Sequence, residues 1–384
     1  MKHYLGFESR LFVKDPKNKL MFLAFLAFLL FIYFLIFFQN VGDNEQEMYQ
    51  TMNQNRIVTS TISESTREDP ELSEFYDNVY SQHQLVVRQE VGRLFEEDNW
   101  YLDSGIELAE LQRNLHQYDL NLVDEDVQDI IPTLHQAESN LAFYTYLKEE
   151  AIPIMTDRQQ AAGFILTLLE YFGLVAFLFL LLFSCGILSN DLNHQTMVKG
   201  YPLSYEQKTG SKIIIYTIAS FLSVLVLSGL AIGVISLIYG TGNFAYPIPF
   251  YGSDSVSILT VLGYSWRYLL YFLVLSIHVI SLSAILNTLT KNMYATLFIG
   301  TFLYFIPMLF QSTAHLWHWL PLPFYNMHTV LSGEVAYSAG LSHLNYLYGM
   351  GILLLWSIGF LVSIYVYQRL TSNKSATQLN LETT

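Results

Sequence analysis

Leu20-Met21-Phe22-Leu23-Ala24-Phe25-Leu26-Ala27-Phe28-Leu29-Leu30-Phe31-Ile32-Tyr33-Phe34-Leu35-Ile36-Phe37-Phe38 is a run of 19 residues with no charge, no proline and no glycine. At helical rise it spans about 28 Å, close to the hydrocarbon thickness of a bilayer. Comparable runs recur at 161–188, at 213–239, between Arg267 and Lys291, at 293–310 and at 344–367, and only the first of these contains an acid, Glu170. Lipid offers no partner to the backbone of an open sheet, and these runs lack the alternation of barrel strands. The expected fold is an all-α integral membrane protein with six transmembrane helices.

Composition points the same way. Of 384 residues, 52% are hydrophobic and only 14% are charged, against about 25% charged in an average soluble protein. Phe and Tyr each occur 27 times, and such rings are favoured at membrane interfaces. The net charge of −14 argues against nucleic acid as a partner, which demands clustered Lys and Arg. Cys185 is the single cysteine, which excludes an internal disulfide framework and a Cys-based zinc site. Phe37-Phe38-Gln39-Asn40 offers no small-residue cleavage site, so the first span reads as a retained signal anchor.

Basic residues set the expected orientation. With the N-terminus inside, the inner segments hold eleven of them: Lys2, Arg10, Lys14, Lys17, Lys19, Lys199, Lys208, Lys212, Lys291, Arg369 and Lys374. The outer loops after the third and fifth spans hold none beyond Arg267 at a span boundary. The positive-inside rule then places both termini in the cytoplasm of a multi-pass cell-membrane protein.

The expected organisation starts with a cytoplasmic amphipathic helix within 1–19 and the first transmembrane helix at 20–39. An acidic helical extracytoplasmic domain occupies 40–160, transmembrane helices two to six occupy 161–370, and a cytoplasmic tail closes the chain at 371–384. In the N-terminal helix, Tyr4, Leu5, Leu11 and Phe12 are read as one face, and Glu8, Arg10 and Lys14 as the other. Segment 40–160 carries 25 acidic and 7 basic residues, a net charge of −18. Asp69-Pro70-Glu71 reads as a helix start. Leu72, Phe75, Val79, Val86 and Leu94 follow at three-to-four spacing or its multiples. A later run, Ile130, Leu134, Ala137, Leu141 and Tyr144, steps by 4, 3, 4 and 3 as a heptad-like stripe, with Pro132 in a tolerated first turn. The acidity is first that of a solvated surface, as charge runs usually are; the functional alternative is a field that attracts a cationic substrate such as a basic peptide.

The connector between the second and third spans is the most specific stretch. It runs Ser189-Asn190-Asp191-Leu192-Asn193-His194-Gln195-Thr196-Met197-Val198-Lys199-Gly200-Tyr201-Pro202-Leu203-Ser204-Tyr205-Glu206-Gln207-Lys208-Thr209-Gly210-Ser211-Lys212. An acid follows the span, a Thr comes five residues later, a Pro-x-Ser turn follows, and a Lys leads into the next span. The connector resembles that of the ABC-2 type transporter permease family, with His194-Gln195 standing where the family more often shows a Gly. Six spans, an amphipathic helix ahead of the first and the Pro-rich Trp319-Leu320-Pro321-Leu322-Pro323-Phe324-Tyr325 before the last are also similar to that family. The 120-residue segment after the first span is a departure from it.

The resemblance implies a permease subunit, a homodimer or a permease heterodimer in membrane lipid, with loop 189–212 docking on an ABC ATPase subunit. Asp191, Leu192, Thr196, Met197, Pro202, Ser204, Lys208 and Lys212 are its candidate docking residues. Physically, Leu192 with Met197 or Val198 could anchor a short helix in a partner's groove. Pro202 would stop that helix, and Lys208 and Lys212 would meet headgroups. No Gly-x4-Gly-Lys-Ser/Thr phosphate loop occurs in the chain. Lys208-Thr209-Gly210-Ser211-Lys212 has the wrong order, and Leu331-Ser332-Gly333-Glu334 lacks the rest of the ABC signature. ATP and Mg are therefore expected on the partner, and neither enzymatic activity nor a cofactor in this chain.

Within the spans, Glu170, His278 and Asn287 are candidates for a substrate path, with His278 and Asn287 better suited to interhelical hydrogen bonds than to carrying protons. His315 and His318 at helical spacing, with His328, Glu334 and His343, could ligate zinc, but Trp317 and Trp319 mark an interfacial belt and no metal site is assigned. Gly229 and Gly233 suit close helix packing, and Cys185 suits the core. The expected function is export of an amphipathic substrate: an antimicrobial peptide, a drug or a lipid-like compound. The competing reading is a membrane sensor or interaction protein whose outer helical domain binds a ligand without transport. The short inner segments count against it, because a sensor needs an output domain.

Overall fold

The computed structural model describes residues 2–42, 52–53, 56, 70–118, 131–155, 157–189, 191, 204–251, 255–309, 316–341 and 343–382. Asp69, Ile130, Leu192, Thr196, Met197, Lys199, Pro202 and His315 lie outside the described residues.

Helix α1 (Lys2–Lys14) is followed directly by α2 (Pro16–Phe38). The break between them is written at Asp15-Pro16. Asp15 Oδ1 accepts the Lys17 N–H at 2.9 Å, and Pro16 fills the first helical position, where a missing N–H costs nothing. Then come α3 (Pro70–Leu94), α4 (Asp98–Leu115), α5 (Leu134–Glu149), α6 (Ala161–Ser184) and α7 (Tyr205–Tyr239). Strands β1 (Pro247–Tyr251) and β2 (Val256–Thr260) precede α8 (Val261–Thr290) and α9 (Met293–Leu309). A 3₁₀ turn at Leu322–Phe324, the short α10 (Met327–Leu331) and α11 (Glu334–Ala339), and α12 (Tyr346–Glu382) complete the order.

Among the described residues, five helices are long and apolar enough to cross a membrane: α2, α6, α7, α8 and the Tyr346–Leu370 part of α12. Helix α9, the expected fifth of six spans, is shorter at 17 residues. The chain is thus a mostly helical protein of multi-pass membrane character. Helices α6 and α8 are 50% and 61% buried along their apolar windows, against 22% or less for α2, α7 and α12, so the latter leave wide apolar faces.

The loop after α7 departs from the all-helical expectation. β1 and β2 pair antiparallel, from Pro247 opposite Thr260 to Tyr251 opposite Val256. Pro247 and Pro249 make β1 look like a connector in sequence, yet proline is tolerated on an edge strand, and in a two-stranded sheet both strands are edges.

The chain divides into two compact units. The first comprises residues 1–31, 168–231 and 266–384. Its interior is aromatic: Phe172 meets Phe25 at 5.2 Å and Phe272 at 5.5 Å between ring centroids. Polar bonds cross between its helices where lipid-like surroundings offer no other partner. Ser184 and Ser283 share a 2.7 Å hydrogen bond. Asn287 Nδ2 donates to Cys185 O at 2.6 Å and to Thr296 Oγ1 at 2.7 Å. Its Oδ1 accepts the Leu188 N–H at 3.2 Å. The Pro-rich segment before α12 is packed into this unit. Phe324 and Tyr325 are buried, Tyr271 donates its hydroxyl to Phe324 O at 2.7 Å, and Trp356 Nε1 donates to Trp319 O at 3.0 Å.

The second unit comprises residues 32–167 and 232–265. Here α3 packs on α4, α4 on α5, and α5 on the hairpin. Phe75, Val79 and Val86 are buried as their spacing required, whereas Leu94 is exposed. Of the later stripe, Ala137 is buried, Leu134 is exposed, and Leu141 and Tyr144 are half-buried. Thr133 and Gln136 form a reciprocal capping box ahead of α5, with Pro132 just outside it. The first N–H groups of α6, at Ala161 and Ala162, donate to Gly240 O and Thr241 O at 3.1 and 3.0 Å. Those donors have no intrahelical acceptor, so the chain leaving α7 satisfies them.

Candidate functional site

The sequence stripe Tyr4-x3-Glu8-x3-Phe12 places three residues on one face of α1, since positions four apart stack along a helix. All three are buried, and the Tyr4 hydroxyl donates to Glu8 Oε1 at 2.6 Å. This corrects the expected faces of the N-terminal helix. Glu8 sits on the buried side with Tyr4 and Phe12, while Leu11 is 47% exposed. Phe12 is fixed by rings on three sides: Phe22, Phe183 and Tyr216 lie 6.4, 5.4 and 4.9 Å away between centroids. Asn18, fully buried, donates to Phe12 O at 3.0 Å and so closes the end of α1.

The start of α7 supplies the opposing charge. Ser204 Oγ accepts the Gln207 N–H and Gln207 Oε1 accepts the Ser204 N–H, both at 3.3 Å. Ser204 and Gln207 therefore form a capping box, and α7 begins eight residues ahead of the apolar run that marks its span. Lys208 and Lys212 fall inside the first turns of the helix and are both buried. The expectation that they meet headgroups is thereby corrected, because the early helix start turns them into the protein.

Lys212 is the centre of the site. Its Nζ donates to Asp191 Oδ1 at 2.7 Å and to Ile187 O at 3.5 Å, and lies 4.0 Å from Glu8 Oε1. The three side chains are only 8–14% exposed. One ammonium thus joins α1, the chain leaving α6 and the first turns of α7. Beside it opens a cleft of about 360 Å³, walled by Phe12, Pro16, Ile187, Ile215 and Tyr216. Cys185, buried as expected of a packing residue, has its Sγ 3.7 Å from Lys17 Nζ.

Taking two carboxylates and an ammonium out of water is costly unless they hold one another. Displacing Asp191 would move Lys212 or leave it buried without its closest partner.

Glu170, His278 and Asn287 do not come together. Glu170 is on the exposed face of α6. His278 is fully buried, with Nδ1 at 3.0 Å from Leu353 O and 3.2 Å from Ser357 Oγ, and Nε2 at 3.2 Å from the Tyr325 hydroxyl. Asn287 ties α8 to α9 and to the end of α6, as described above. Both of these bond between helices. His318 and His343 approach to 5.9 Å between ring centroids, and among the described residues no group of three or more His, Cys, Asp or Glu gathers as a metal site would require. Gly229 and Gly233 face open space on α7. Sequence reading missed Glu8 and Ser204–Gln207 as structural partners. The four-residue spacing from Tyr4 and the Ser-x-x-Gln pattern were the signals for them.

Set against protein-family models, curated proteins and solved structures, the chain matches none.

Proposed function

We propose that this chain is the permease subunit of an ABC-2 type transporter, exporting an amphipathic substrate with ATP and Mg held by a separate ATPase subunit. The observation that carries the reading is the Glu8–Lys212–Asp191 cluster. A connector that receives force needs a stiff attachment to the spans it moves. A buried ion pair, whose rupture costs about 3–5 kcal/mol, is such an attachment. Force on segment 189–204 would pass through Asp191 to Lys212 at the root of α7, and through Glu8 to α1. The missing phosphate-loop pattern is consistent with an engine on another chain.

In this reading α9 is the fifth of six crossings. Its 17 residues give about 26 Å at helical rise, within reach of the hydrocarbon core with modest local thinning. An even number of crossings puts both termini on the same side, which the positive-inside rule makes the cytoplasmic one, with segment 40–160 outside. The permease works as a dimer, with itself or with a related permease.

The test is purification from the native membrane. An ATPase subunit is expected to copurify, and Asp191→Asn should reduce its recovery by roughly tenfold, the equivalent of about 1.4 kcal/mol. A complex that survives replacement of the whole 189–212 segment would defeat the proposal.

A further inference from the structure

Helix α3 carries two apolar stripes. Phe75, Val79 and Val86 are buried, and Asn78 on the same side donates to Leu111 O of α4 at 3.1 Å. One residue further on, about 100° round the helix, runs a second stripe: Tyr76, Tyr80, Val87, Val91, Leu94 and then Phe95. Tyr76 and Val91 are half-buried, while Tyr80, Val87, Leu94 and Phe95 are 49%, 40%, 62% and 72% exposed. The Tyr76 and Tyr80 rings lie 6.4 Å apart between centroids with their planes 20° apart. From Tyr76 to Phe95 the stripe is about 28 Å long at helical rise.

A water-facing helix has no reason to keep such a stripe unless something covers it. Charge decides what. Glu74 and Asp77 are exposed beside its beginning, and Glu96, Glu97 and Asp98 are exposed at its end. Segment 40–160 as a whole carries −18. A second copy would bring two such segments together against their mutual repulsion, and an anionic lipid surface would be repelled by the acids at both ends. A cationic amphipathic helix meets both requirements, with its apolar face along the stripe and its Lys and Arg against the flanking acids.

We infer that the exposed face of α3 is a docking surface for a cationic amphipathic peptide. As a statement about transported cargo this rests on the proposed export role; as a statement about binding it stands without it.

The experiment uses the full chain in phosphatidylcholine nanodiscs, with empty discs as control. The probe is a fluorescently labelled synthetic peptide of leucine and lysine in helical register, and the counter-probe has glutamate in place of each lysine. The lysine peptide should bind, more weakly as salt rises, and the glutamate peptide at least about tenfold more weakly. Combining Tyr80→Ala, Val87→Ala and Leu94→Ala should weaken lysine-peptide binding by about tenfold or more. All three side chains are exposed, so the variant should keep the native melting temperature. Combining Glu96→Gln, Glu97→Gln and Asp98→Asn should flatten the salt dependence. Equal affinity for the two peptides, binding no greater than to empty discs, or unchanged affinity in the alanine variant would overturn the inference. So would conversion of a native dimer to a monomer by the alanine variant, which would give the stripe to a second copy. Failure of an ATPase to copurify would remove the export role and leave the peptide result standing.

Discussion

An ammonium group with 8% of its side chain exposed persists in a folded protein only where carboxylates hold it. Lys212→Met removes that ammonium and leaves Asp191 buried without its ion-pair partner and Glu8 without the ammonium 4.0 Å away. The variant should lose about 3 kcal/mol of stability, read as a clear fall in melting temperature in detergent. Adding Glu8→Gln and Asp191→Asn should restore much of the loss, since the neutral set no longer buries unpaired charge. A triple variant as unstable as Lys212→Met would mean that packing around the lysine stem, and not charge, is what matters there. At this scale the sequence is legible in part. Asp191 and Lys212 stand out by type and position, but their meeting depends on a connector folding back, and Glu8 comes from another segment altogether. No local pattern announces a contact between residues so far apart in the chain.

Elements are decided by short-range rules, and two positions in the second unit expose them. Gly92 lies where α3 meets the start of α4, and a Cβ there would come within 2.7 Å of the Tyr101 backbone nitrogen. Backbone cannot yield as a flexible side chain can, so Gly92→Ala should cost about 1–3 kcal/mol and loosen the α3–α4 pair, seen as faster amide exchange across Tyr101 and Leu102. His135, near the start of α5, is pulled down from 6.5 to about 4 by burial. It is neutral in the fold, so the unfolded chain takes up a proton first as pH falls below 6.5. Stability is therefore fully present above that value and is lost progressively toward pH 4, by about 1 kcal/mol after allowing for nearby solvent. Exchange protection of residues 134–149, corrected for intrinsic rate, should fall between pH 7 and pH 5, and His135→Gln should abolish that dependence. Helix periods and caps made most helices legible. The hairpin was not, because Pro247 and Pro249 hide a strand that its partner and α5 support.

For the whole molecule the decisive quantity is which side each connector occupies. Cys185, the single cysteine, is buried, which leaves a quiet background for labelling. Lys199→Cys should react only with reagent admitted to the cytoplasmic side and Glu138→Cys only from outside. The same sidedness for both would break the proposed topology and, with it, the route from connector to spans. The sequence by itself determined the membrane character, the membrane-length helices and the segregation of acid into one segment, because hydropathy and charge are additive along the chain and need no knowledge of neighbours. Only the tertiary structure decided that Glu8 faces inward, that Lys208 and Lys212 are buried rather than at headgroups, and that His278 and Asn287 serve helix contacts apart from Glu170. Those outcomes turn on which faces meet. A helix presents every residue to some direction, and packing alone chooses the direction that loses its water.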